Sequence, residues 1–162
     1  MALKAPLAVK LVGGRGLGVV TTGRVARGTK VIRYTGAPRW IWELERWRWE
    51  HLFQVGYDLY LSPRPGSPGW SVNHSCEPNC LISGERTLVA AAPIARGEEL
   101  TFDYSTNVGW DGYLMPCSCG KPSCRGVVTS YSRLPGPWKE RYGRNVSPYL
   151  LKPAGKPTPT LF

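Results

Sequence analysis

Short strands rather than long helices dominate the pattern of apolar and polar positions. Leu7 to Val12 and Gly18 to Val25 read as strands on either side of a glycine turn, and Thr29 to Tyr34 reads as a third. Cys80 to Ser83 and Thr87 to Ala92 form a further pair around Gly84, and Glu99-Leu100-Thr101-Phe102-Asp103-Tyr104 alternates apolar and polar residues as a half-buried strand does. Val25-Ala26-Arg27-Gly28 and Ile94-Ala95-Arg96-Gly97 echo each other, the same turn chemistry used twice, each with glycine where the chain reverses.

Only one long segment has a helical period. After Pro38, suited to a first helical turn, Trp40, Leu44, Trp47 and His51 recur at i, i+4, i+7 and i+11 and predict a core-facing stripe. Trp42 and Trp49 fall on the opposite face beside Arg46 and Glu50; they are either covered by loops or an exposed contact for a partner or second subunit. Ser62 to Gly69 is a loop by composition, Pro137 to Tyr142 fits a short helix, and the proline-rich residues 151–162 read as a loose tail.

With 162 residues, 42% of them apolar, the chain has enough material for one domain with its own core. It has no apolar run long enough to cross a bilayer and no signal segment at its start, so the expectation is a soluble intracellular protein without a membrane partner. The formal net charge is +10 and lopsided: the first 42 residues carry eight basic and no acidic side chains, and residues 121–162 carry eight basic against Glu140 alone. Such a surface suits an acidic partner such as nucleic acid, or is a solvated basic face.

The five cysteines sharpen the picture. Cys117, Cys119 and Cys124 form a C-x-C-x₄-C cluster, and Cys76 lies in the distant string Asn73-His74-Ser75-Cys76-Glu77-Pro78-Asn79-Cys80. One remote thiol plus this cluster supplies the four sulfurs of a closed zinc site, which would staple the C-terminal segment onto the central loop. In a secreted protein the same thiols would make two disulfides; in a reducing compartment they read as metal ligands. Cys80 falls outside the set and reads as a small buried apolar residue.

In order along the chain, the glycine turn Gly14-Arg15-Gly16-Leu17-Gly18-Val19, the loop Asn73 to Asn79, the strand Gly97 to Tyr104 and the cysteine cluster with Cys124-Arg125-Gly126 resemble a SET domain with its zinc-binding post-SET segment. Alone, the glycine turn is as readily a hairpin and Asn73-His74 an Asx-type turn; their ordered co-occurrence carries the resemblance. It implies a mostly β fold of several small curved sheets around a threaded, knot-like crossing, with a SET domain over 7–115, a post-SET zinc segment over 116–127 and a C-terminal extension over 128–150. It also implies methyl transfer from S-adenosylmethionine to the ε-amino group of a protein lysine. The cofactor would be held by Arg15, Gly16, Leu17, Gly18, Asn73, His74 and Tyr104, with Tyr104 catalytic.

The same resemblance places Phe102 in the lysine channel, with Tyr57 and Tyr60 as candidates for a second channel tyrosine, and zinc on Cys76, Cys117, Cys119 and Cys124. Where many members have Arg-Phe before the Asn-His pair, this chain has Trp70-Ser71-Val72. Its compactness is similar to prokaryotic and viral members, which points to a prokaryotic cytoplasm rather than a nucleus. Basic substrate tails would be repelled unless Asp58, Glu77, Asp103 and Asp111 gather into an acidic groove. A zinc-stapled binding module for protein or nucleic acid, without activity, is the competing reading. A zinc hydrolase is not, since four thiolates leave no open metal position.

Overall fold

The structure, a computed structural model, describes residues 5–45 and 51–152. Among the described residues the strands form four small sheets. In the first, β1 (Leu7–Leu11) and β2 (Leu17–Thr21) form a hairpin, β10 (Glu99–Phe102) runs antiparallel to β2, and β7 (Asn73–His74) lies parallel to β10. The second has β3 (Lys30–Arg33), β9 (Thr87–Ala90) and β8 (Cys80–Ser83) in that order. The third joins β4 (Arg39–Trp40), β6 (Leu59–Leu61) and β5 (Phe53–Gly56), and the fourth is the pair β11 (Leu114–Pro116) and β12 (Val127–Thr129). Among the described residues helix is confined to α1 (Pro68–Ser71), α2 (Gly136–Tyr142) and a few 3₁₀ turns.

Between the sheets lies one apolar core that includes Val19, Val31, Phe53, Leu61, Ile82, Leu88, Ile94, Leu100 and Phe102. Cys80 sits in it with no exposed surface, as a small apolar residue, and burial pushes its thiol up to about 12. A second, smaller core gathers Leu134, Tyr142 and Val146 with Leu81, Tyr131, Trp138 and Leu150. The echoed turns pack directly on each other, for Val25 and Ile94 exchange backbone hydrogen bonds of 2.9 Å in both directions.

The expected helix after Pro38 is not formed at its start. Arg39 and Trp40 instead pair with Tyr60 and Leu59, a single 3₁₀ turn covers Ile41–Glu43, and Leu44 is extended. Backbone pairing across the sheet outweighs the weak helical preference of a tryptophan-rich segment, which also suits a pleated strand. Trp40 therefore faces outward, 42% exposed, and stacks on the exposed Trp42 with ring centres 5.1 Å apart. His51 is half-buried against the ring of Trp70, 4.0 Å away. Arg46, Trp47, Trp49 and Glu50 lie outside the described residues, as does the tail from residue 153.

Candidate active site

Strand register brings the separate motifs into one row. Asn73 and His74 sit beside Thr101 and Phe102 on one edge of β10, and β2, which leaves the glycine turn at Leu17, runs along its other edge. Asn73 ties the row together: its amide nitrogen donates to the Leu17 carbonyl (3.1 Å) and to Glu99 Oε1 (2.7 Å), while Arg15 pairs with Glu99 Oε2. Glu99 thus fastens the turn to the Asn73 loop. Within the turn, Gly16 has φ +76°, where a side chain is strained. At Gly18 a Cβ would lie 2.5 Å from Val12 Cγ2 and 2.7 Å from Glu99 Oε1, so the backbone must stay bare there. A Cβ at Gly16 would meet no heavy atom within 4 Å, so the turn is open at that point.

The loop after β7 wraps the strand beside it. Ser75 N donates to the Phe102 carbonyl, Asn79 Nδ2 donates to the Glu99 carbonyl, and Thr101 N donates to Asn79 Oδ1. Tyr104 lies two residues past the end of β10, and its hydroxyl donates to the Val72 carbonyl at 2.7 Å, one residue before Asn73. Its ring stands 5.0 Å from that of Phe102 and 5.3 Å from that of His74.

His74 joins this site to the cysteines. Its Nδ1 accepts the backbone N–H of Tyr104 (3.2 Å), so the ring proton sits on Nε2 and points to Cys76 Sγ at 3.4 Å. Burial holds the imidazole down to about 4; Asp103 opposes that shift and Arg125 reinforces it. The ring is neutral, as this hydrogen-bond pattern demands.

Cys76, Cys117, Cys119 and Cys124 place their sulfurs within 4.8 Å of one another, with 3.8 Å between Cys76 and Cys117 and 3.7 Å between Cys117 and Cys124. A zinc–sulfur bond of about 2.3 Å puts the corners of a tetrahedron about 3.8 Å apart, so the four thiols fit a closed zinc shell. Cys80 is not among them.

Two features escaped the sequence reading. Tyr34, at the end of β3, is buried and stacked on Phe53 at 3.9 Å. Burial pushes its phenol well above the ordinary value, with Tyr104 and Cys80 adding to the push, and Tyr104 packs against the same core cluster. The signal available was an aromatic residue continuing the inward face of an apolar strand. Tyr57 and Tyr60 lie on the β5–β6 hairpin, the former exposed and edge-on to Tyr149 at 5.3 Å.

The second feature is a buried ion pair. Asp103 is 1% exposed, and both of its oxygens are held by Arg125, at 2.7 and 2.8 Å. Arg125 also donates its backbone N–H to Cys76 Sγ. Of the four carboxylates named for an acidic groove, Asp103 is enclosed, Glu77 accepts two bonds from Ser123, and Asp111 accepts from Ser130 and Ser132.

Residues 16–105 match the family model described as the SET domain, and the chain belongs to that family. It is 33% identical over 136 residues to histone-lysine N-methyltransferase ash1 of Drosophila melanogaster, which covers 74% of this chain but 6% of that protein. Among solved structures, KRYPTONITE in complex with mCHG DNA and SAH superposes with a TM-score of 0.60 at 26% identity, over 79% of this chain and 30% of that one. The methyltransferase domain of human SETMAR gives a TM-score of 0.64 at 24% identity over 80% of this chain and 60% of that one, a likeness of fold. The curated relatives are thus far longer than the part of them this chain matches. No helix among the described residues is long and apolar enough to cross a membrane.

Proposed function

We propose that this SET domain transfers methyl groups from S-adenosylmethionine to the ε-amino group of a lysine on a protein substrate, with Tyr104 as the catalytic residue. The observation that carries this reading is the placement of Tyr104 two residues past the end of β10, hydrogen-bonded to Val72 beside Asn73-His74, next to the sheet that also carries the glycine turn. The neighbour bound to SAH, the product left when S-adenosylmethionine gives up its methyl, and relatives named histone-lysine N-methyltransferase support it.

The cofactor supplies an electrophilic methyl on a positively charged sulfur. Arg15, Gly16, Leu17 and Gly18 would approach it with backbone groups, Asn73 and His74 would hold it from the opposite strand, and Tyr104 would stand at the methyl. A substrate lysine, with an ordinary pKa near 10.4, must lose a proton before it attacks. Burial among Phe102, Tyr34 and Tyr104, facing a like charge, lowers that pKa without a dedicated base. The Tyr104 hydroxyl donates a hydrogen bond to the Val72 carbonyl, so towards an amine or a polarised methyl its oxygen would act as an acceptor. The rest of the acceleration is alignment.

Zinc on Cys76, Cys117, Cys119 and Cys124 is structural in this reading, and residues 116–127 form the post-SET segment it pins. The test uses Tyr104→Phe with calorimetric titration of S-adenosylmethionine and a methylation assay on whole-cell lysate. Cofactor affinity should stay near wild type while turnover falls by about a hundredfold or more, the scale of a lost transition-state contact. Unchanged turnover would remove Tyr104 from catalysis.

A further inference from the structure

Residues 130–151 do not trail away from the zinc cluster; they return to the segment that carries Tyr104. Tyr142, the last residue of α2, donates its hydroxyl to Asp103 Oδ2 at 2.8 Å, the oxygen that also receives Arg125 Nη1. Ser147 donates its backbone N–H to the Thr106 carbonyl (2.8 Å), and its hydroxyl accepts from Asn107 Nδ2 (2.7 Å). Tyr149 donates its hydroxyl to the Asn107 carbonyl at 2.6 Å. Three residues of the extension, Tyr142, Ser147 and Tyr149, therefore grip Asp103, Thr106 and Asn107, which bracket Tyr104 in the chain.

The grip has its own footing. Leu134, Tyr142 and Val146 pack with Trp138, Tyr131 and Leu150 against Leu81 of β8, and Asn145 Nδ2 donates to the Ile82 carbonyl. Burial, then the Asp103 carboxylate, pushes the Tyr142 phenol up, so its hydroxyl remains a donor. Asp103 needs that donor for a geometric reason. Its Oδ1 stands 3.5 Å from His74 Nδ1, the nitrogen that already accepts the Tyr104 N–H, so two acceptors face each other. Arg125, the Ser105 N–H and Tyr142 hold the carboxylate turned towards themselves and leave the imidazole to Tyr104.

We propose that the C-terminal extension is a brace that sets the position of Tyr104, with Tyr142 as the positioning residue acting through Asp103; its kinetic part rests on the methyl-transfer reading. Tyr142→Phe keeps the ring in the small core and removes only the hydroxyl. Its kcat should fall about tenfold, the scale of one hydrogen bond to a charged group, while cofactor affinity, KM and zinc content stay within about twofold of wild type. Hydrogen exchange at the amides of residues 104–107 should speed up, with exchange in β8 and β9 unchanged.

A kcat equal to wild type, or unaltered exchange at 104–107, overturns the brace. So does a fall in kcat that comes with matching losses of cofactor affinity and zinc, because that pattern marks general destabilisation. Should wild-type protein methylate no lysine, the exchange data alone decide: faster exchange at 104–107 upholds the brace while the methyl-transfer reading falls. Tyr149→Phe, which loses the bond to Asn107, is read by the same two measurements if Tyr142→Phe aggregates.

Discussion

Phe102 shows how much one atom decides at this site. Its ring is 5% exposed, wedged between Phe53 at 6.2 Å and Tyr104 at 5.0 Å, and it offers no hydroxyl to hold a water or the amine nitrogen. A lysine nitrogen beside it can rotate and present itself again after one transfer, so the enzyme should yield di- or trimethyllysine. Phe102→Tyr should shift the product towards monomethyllysine, which mass spectrometry of a peptide over a long time course reads directly. Wild-type protein that stops at one methyl with cofactor in excess contradicts the argument. Tyr34 is the residue that could overrule it, since it occupies the same buried aromatic cluster. Phe102 and Tyr104 could be named from the sequence because they stand in one short string. Tyr34 could not, because its nearness to Tyr104 arises from the packing of two different sheets.

At the level of elements, the fold was legible wherever a segment's own pattern agreed with its tertiary surroundings. The β8–β9 hairpin around Gly84, β10 and α2 all lie within two residues of their expected bounds. The segment after Pro38 failed because its partners, Leu59 and Tyr60, lie about twenty residues away and impose a strand. Distance in sequence hid the ion pair as well: Asp103 and Arg125 are 22 positions apart, Asp103 and Tyr142 39, and no local spacing signals either contact. The cysteine cluster was visible because three of its members are neighbours. Wild-type protein should carry one zinc ion per chain; Cys124→Ser should lose it, whereas Cys80→Ser, whose thiol is buried in the main core, should keep it. Metal analysis of the two variants separates the cases. Chelation of the wild-type protein should also lower its thermal midpoint, since metal bound only to the folded shell stabilises that state.

For the whole molecule the dominant fact is charge. Around the echoed turns Arg24, Arg27 and Arg96 are exposed, with the carboxylate of Glu98 beside them, and the Val25–Ile94 bridge sets the two turns side by side. Asp103, the carboxylate best placed to attract a basic tail, is spent inside the ion pair with Arg125. This distribution favours acidic partners. Duplex DNA of arbitrary sequence should bind at low salt and be released steeply between about 50 and about 200 mM, and Arg27→Glu with Arg96→Glu should weaken it further. Absence of binding even at the lower salt would make the basic surface a solvated face only.

The split of the four thiols between a central loop and a distant tail has a consequence for how the protein is made. During synthesis Cys76 emerges first and waits as a lone thiol, while three of the four sheets, which need nothing beyond residue 102, can already close. The metal shell becomes possible only after residue 124 has left the ribosome, and the α2 segment, which seals Asp103, arrives later still. An ion held by these four thiols would thus be captured late in the life of the nascent chain. A protein starved of zinc at that moment would have most of its strands in place and an unlatched C-terminal half, a form open to proteases at the very residues that complete the site.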